Sequence, residues 1–170
     1  MTTTVADVVA ALETAYPPRL AESWDAVGLI CGDPSAQVAR VAFALDCTQA
    51  VAEQAVELGA DMLVVHHPLL MRGVTSVAAD TPKGKVVHTL VRGGCALFAA
   101  HTNADSARPG VSDKLAELVG ITPGRPIKVV DPDAQDLWGV HIPPADITAV
   151  MDALFSAGAG AIGNLSLIHI

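Results

Sequence analysis

The stretch LGADMLVVHHPLLMRG, residues 58–73, joins an apolar run to two adjacent histidines and a proline. Within it DMLVV, 61–65, reads as an apolar strand. Upstream, the apolar spacing of residues 48–58 predicts a helix, with Thr48 as its N-cap and Gly59 as its stop. Before that helix, residues 38–45 read as a strand. Downstream, residues 82–92 read as a helix ended by a glycine pair, and CALFAA, 95–100, as a third strand buried on both faces. Strands that alternate with helices of this length imply right-handed crossovers. The expected fold class is therefore α/β, a largely parallel sheet flanked by helices, over about the first 120 residues. Val5, Val8, Val9, Leu12 and Tyr16 add an N-terminal helix that YPPRL stops at Pro17, and AESWDAVGLICGDP, 21–34, reads as a loop.

In open sheets of this kind ligands collect beyond the carboxyl ends of the strands. His66 and His67 lie where DMLVV runs out, and CALFAA ends in HTNAD, which brings His101 and Asp105. Neutral imidazoles with a carboxylate, and no thiolate, suit Zn, Mn, Fe or Ni rather than a structural zinc site. Neighbouring side chains on a strand diverge, so His66 and His67 are expected to serve two divalent ions a few ångströms apart, with Asp105 on a loop completing or bridging the pair. The bland alternative is a turn whose imidazoles bond to backbone. His101 is read as a proton shuttle, a metal ligand or a group orienting its neighbours. His88, in a predicted helix, and His141, in a predicted strand, read as ordinary surface or core histidines.

Composition excludes several classes. Three cysteines without a C-x-x-C pair argue against a disulfide framework, so Cys31, Cys47 and Cys95 read as small buried thiols in a reducing compartment. No leader pattern and no apolar run of membrane-spanning length is present, and a soluble cytoplasmic protein is expected. A net charge of −8 opposes nonspecific binding to nucleic acid, although a nucleotide remains compatible with a local metal site. No glycine pattern matches a P-loop or a G-x-G-x-x-G turn.

Trp24 is expected to anchor its loop by burial and Asp25 to cap or bond backbone, with Gly28 and Gly32 allowing tight turns; the alternative places Trp24 and Asp25 at the mouth of a pocket. Asp46, at the end of the first predicted strand, reads as a carboxylate supporting the metal ligands or as an acidic residue ahead of the next helix. Residues 137–142 read as a strand, and Ile147, Val150, Met151 and Leu154 mark an amphipathic helix that stops at Gly158.

The segments SWDAVGLICGDP, ALDCT, GADMLVVHHPLLMRG, AAHTNADSARPGVSDKLAELVG and DALFSAGAGAIGN, in order across residues 22–164, resemble the dinuclear-metal family of GTP cyclohydrolase 1 type 2 homologues, also called Nif-three-like. The resemblance implies that His66, His67 and Asp105 bind two divalent cations. It also implies a closed ring of identical subunits, hexamer-like, in keeping with a charged fraction of only 16%. The implied activity is metal-dependent hydrolysis, such as ring opening of a purine nucleotide by a two-metal-activated water. The competing class is a non-catalytic metal-binding or interaction scaffold that stores, delivers or senses metal. The family completes its centre with a histidine and a glutamate near the C-terminus of a longer chain, and neither has a counterpart here. The expectation is thus a truncated chain that binds divalent metal weakly and is inactive.

The domain organisation expected is 1–128 for the N-terminal part of the metal-binding domain and 129–164 for the first strand and helix of a small ferredoxin-like insert, with DPDAQD, 131–136, as linker or surface loop. The final LSLIHI, 165–170, reads as a non-native tail, because it is the direct translation of the transposon-end sequence CTGTCTCTTATACACATC; a short edge strand is the alternative. On the first reading His169 is not a ligand.

Overall fold

The computed structural model describes residues 2–126 and 139–159. Strand β3, Met62–His67, organises it. Successive side chains on a strand point to opposite faces. Met62 and Val64 therefore enter one apolar cluster, with Val5, Ala96 and Phe98, and Leu63 and Val65 enter another, with Ala52, Ala55, Val86, Leu90, Leu97 and Ala99. An unbroken apolar run is what a strand covered on both faces requires.

The sheet has four strands: β1 (Gly28–Cys31), β2 (Val41–Asp46), β3 and β4 (Ala96–Ala99), in the spatial order β1-β4-β3-β2. β2, β3 and β4 are parallel, as the crossover helices α2 (Gln49–Glu57) and α3 (Pro82–Arg92) demand. Both helices cover the face that carries Leu63 and Leu97; α1 (Val5–Ala15) covers the other through Val5, Val8, Val9 and Leu12. Thr48 caps α2 by accepting from the Val51 amide, as expected, and Gly59 follows that helix with φ +64°.

The expected loop at 21–34 is corrected in part. It contains β1, an edge strand antiparallel to β4, with Gly28 facing Ala99 and Leu29 facing Phe98. A kink between Leu29 and Cys31 breaks the ladder, and at Gly32, with φ +124°, an added Cβ would lie 2.5 Å from the Ala96 Cβ. The glycine permits that close approach, and also makes so short a strand read as a turn. Asp105 is corrected too: it sits on a short helix, α4 (Thr102–Ser106), not a loop, and α5 (Val111–Leu118) follows.

The chain divides into two compact units, Met1–Gly124 and Arg125–Ile170. In the second, a 3-10 turn at Pro144–Asp146 leads into α6, Ile147–Ser156, which ends before Gly158 at φ +94°. Of the strand expected at 137–142, the described residues 139–142 carry no strand. The DPDAQD linker and the LSLIHI tail lie outside the described residues. Among the described residues no helix is long and apolar enough to cross a membrane. Cys31, Cys47 and Cys95 are free, and burial pushes the thiols of Cys47 and Cys95 up to about 11, so both stay protonated at neutral pH.

Candidate metal centre

Strand register builds the centre. Asp46 on β2 lies directly beside His67 on β3, and its Oδ1 accepts from the His67 Nδ1 at 2.8 Å. Val65 pairs with Ala99 across β3 and β4, which sets His66 beside the end of β4, and its Nδ1 lies 2.9 Å from the Ala100 carbonyl. His101 follows β4, with its Nδ1 2.9 Å from Asp25 Oδ1 on the loop before β1. A carbonyl or a carboxylate only accepts, so each of the three Nδ1 atoms carries a proton. In the neutral ring each Nε2 is then left with a free lone pair.

One ring nitrogen from each of His66, His67 and His101 lies within 4.8 Å of the other two. The ring centroids of the neighbouring histidines are 5.0 Å apart, with the two Nδ1 atoms tied to chain segments on opposite sides of β3. Asp105 joins the group, its Oδ1 3.7 Å from the His66 Nε2. The structure thus brings together His66, His67, His101 and Asp105. His88, on α3, is not part of this group.

The donor set fits a divalent first-row metal. It offers three neutral imidazoles and a carboxylate, each imidazole oriented through its other nitrogen by a carbonyl or a carboxylate, the arrangement that metal-binding histidines use. His66 and His67 with Asp105 would hold the ions, and His101 stands beside them.

Asp25 is the residue that sequence reasoning placed and undervalued. Its side chain is fully buried, and it bonds backbone as expected, accepting from the Ala26 amide at 2.8 Å and the Thr102 amide at 3.0 Å. It also accepts from the Thr102 hydroxyl and from His101. Burial alone would raise its pKa, but hydrogen bonds from the Thr102 side chain, from His101 and from the Ala26 and Thr102 amides outweigh it and hold the carboxyl down to about 2. The carboxylate is therefore anionic at neutral pH and holds the proton on the His101 Nδ1.

Trp24 contradicts its expectation. It is 57% exposed and meets His101 edge to face, with ring centroids 6.1 Å apart. Burial fails because the carboxylate next to it, not the indole, anchors the loop.

Asn103 was not singled out from sequence. It is buried, its Nδ2 donates to the Tyr16 carbonyl at 2.7 Å, and its Oδ1 accepts from the His101 amide at 2.9 Å. A buried asparagine with both ends used fixes the backbone at His101 against the end of α1. Asn103→Leu should therefore cost about 1–3 kcal/mol for each group left without a partner. Denaturant unfolding reads this cost, and an unchanged midpoint contradicts it.

The class defined here is an α/β protein whose mostly parallel sheet carries a cluster of imidazoles and a carboxylate at its carboxyl edge. The chain belongs to the family described as Duf34/NIF3 (NGG1p interacting factor 3), whose model matches residues 3–167. It is 54% identical over 168 residues to a Mycobacterium tuberculosis protein named GTP cyclohydrolase 1 type 2 homolog, covering 98% of this chain and 44% of that one. Among solved structures it is similar to a Staphylococcus aureus hypothetical protein, with TM-score 0.67, 39% identity and coverage of 71% of this chain and 34% of that one. A Bacillus cereus protein related to NIF3 aligns with TM-score 0.66 and 31% identity, over 97% of this chain and 46% of that one. The chain thus spans less than half the length of the M. tuberculosis relative.

Proposed function

We propose that this chain contributes the metal centre of a divalent-metal-dependent hydrolase that acts on a purine nucleotide. The observation that supports it is the set of three imidazoles, each with Nδ1 engaged and Nε2 free, gathered beside Asp105. The relatives' name, GTP cyclohydrolase 1 type 2 homolog, suggests the nucleotide class.

When bound, a pair of divalent ions would lower the pKa of water and stabilise charge developing on an oxygen. The chain's own residues do the rest. His66, His67 and Asp105 hold the ions; Asp46 and the Ala100 carbonyl keep the two imidazoles aimed. His101 carries a proton between water and the leaving group through its Nε2, while Asp25 steadies the imidazolium that forms. Assembly into a homo-oligomeric ring belongs to the same proposal, supported by exposed Phe43 and Leu45 on edge strand β2, at 73% and 60%.

Turnover is the test. This chain and the M. tuberculosis relative, each loaded with Mn, Zn or Fe, are incubated with a panel of purine nucleotides, and loss of the purine absorbance is followed. Ring opening by the longer protein, abolished by replacing its counterpart of His66, is expected. Silence across the panel together with reversible metal transfer would instead mark a protein that stores or delivers metal.

A further inference from the structure

We infer that Trp24 is a substrate-binding residue whose indole stacks the planar nitrogen heterocycle of the ligand at the edge of the histidine cluster. This inference rests on the nucleotide reading above and deepens it. A tryptophan carries a large apolar surface that folding ordinarily buries, yet Trp24 is 57% exposed in a loop that is otherwise firmly held. The firmness comes from its neighbour. Asp25 has a fully buried side chain that accepts from the Ala26 and Thr102 amides, the Thr102 hydroxyl and His101. The Glu22 amide, on the other side of Trp24, donates to the Thr102 hydroxyl at 3.0 Å. The indole is therefore carried on backbone pinned from both sides to α4, which also bears Asp105.

Its position is as specific as its anchoring. The contact with His101 is edge to face, at 77° between planes and 6.1 Å between centroids, and among the described residues no ring lies parallel to the indole. The groups beyond it are polar: His66 and His67 lie 5.0 and 5.6 Å from His101 between ring centroids. A ligand with one planar heteroaromatic part and one polar reacting part matches this juxtaposition. Bases stack on indole through their π-faces, whereas a phosphate or a sugar gains no such contact.

The probes are guanosine, which carries the heterocycle without phosphate, and ribose 5-phosphate, which carries the phosphate without heterocycle. The 170-residue chain contains a second tryptophan, Trp138, so the parent for the test is Trp138→Phe, in which Trp24 alone emits. Excited at the red edge of indole absorption, it should be quenched saturably by guanosine and unaffected by ribose 5-phosphate. By calorimetry, Trp24→Ala should weaken guanosine binding by about tenfold or more, the change that loss of a stacked base brings. Trp24→Phe should keep most of the affinity. Zinc stoichiometry, measured alongside, should be unchanged in Trp24→Ala, which separates loss of stacking from collapse of the loop. Absence of saturable quenching by guanosine, equal response to ribose 5-phosphate, or guanosine affinity indifferent to Trp24→Ala would each overturn the inference. If zinc binding that depends on His66 persists in such a case, the metal-centre reading stands without the stacking residue; if zinc binding is absent too, both fall.

Discussion

Replacing His66 with alanine is expected to lower divalent-metal affinity more than about a hundredfold, since loss of a group that only orients a ligand already costs ten- to a hundredfold. His66 stands at the middle of the group. Its ring is 5.0 Å from those of both His67 and His101, and its Nε2 is 3.7 Å from Asp105. Its Nδ1 is held by the Ala100 carbonyl, so a substitution removes a donor already aimed. The fold should survive, because the His66 side chain is 21% exposed and belongs to neither apolar cluster. Zinc titration by calorimetry measures the loss, with circular dichroism as the control for folding. Asp46→Asn should fall between wild type and His66→Ala, because it weakens the orientation of His67 without removing a ligand. An affinity unchanged in His66→Ala would remove His66 from the centre.

Phe98→Ala carries the largest expected effect on stability, about 3–5 kcal/mol. Phe98 is 1% exposed, pairs in register with Val64 on one side and Leu29 on the other, and packs in the cluster under α1. Its removal leaves a cavity that three strands cannot close without breaking their ladders. Native proteins are stable by only about 5–15 kcal/mol, so this one substitution consumes a large share. Denaturant unfolding should show the midpoint fall with little change in slope. A cost under about 1 kcal/mol would mean that the α1 face of the sheet is not packed as described. The site should feel the same change, because β4 delivers both the Ala100 carbonyl and His101.

The parallel part of the sheet was legible because its signals are local. DMLVV and CALFAA are short apolar runs of strand length, and Thr48, Gly59 and the glycine pair after Arg92 punctuate the helices that precede them. β1 was not legible. Its four residues, GLIC, begin with one glycine and are followed by another, Gly32, and what makes them a strand is the edge of β4, more than sixty residues away. The candidate site divides the same way. His66, His67, His101 and Asp105 were placed together by the rule that ligands gather at carboxyl ends of parallel strands, and Asp46 by its position at the end of β2. Asp25 was seen as a backbone-bonding residue, but its hold on His101 spans 76 residues of sequence and depends on how the edge loop folds over α4. Burial of Trp24 was the wrong expectation for a related reason: composition shows that an indole wants cover, and only the packed loop shows that its neighbour took the anchoring role.

In the proposed centre, imidazole nitrogens from His66 and His67, with Asp105, hold divalent metal. X-ray absorption at the zinc edge of the zinc-loaded chain tests it most directly, because imidazole rings give a distinctive outer-shell scattering pattern. Nitrogen and oxygen neighbours are expected at about 2.0–2.2 Å, with imidazole scattering that is lost in the double variant His66→Ala/His67→Ala. A zinc shell with no imidazole pattern, or one identical in the wild type and the double variant, would contradict it.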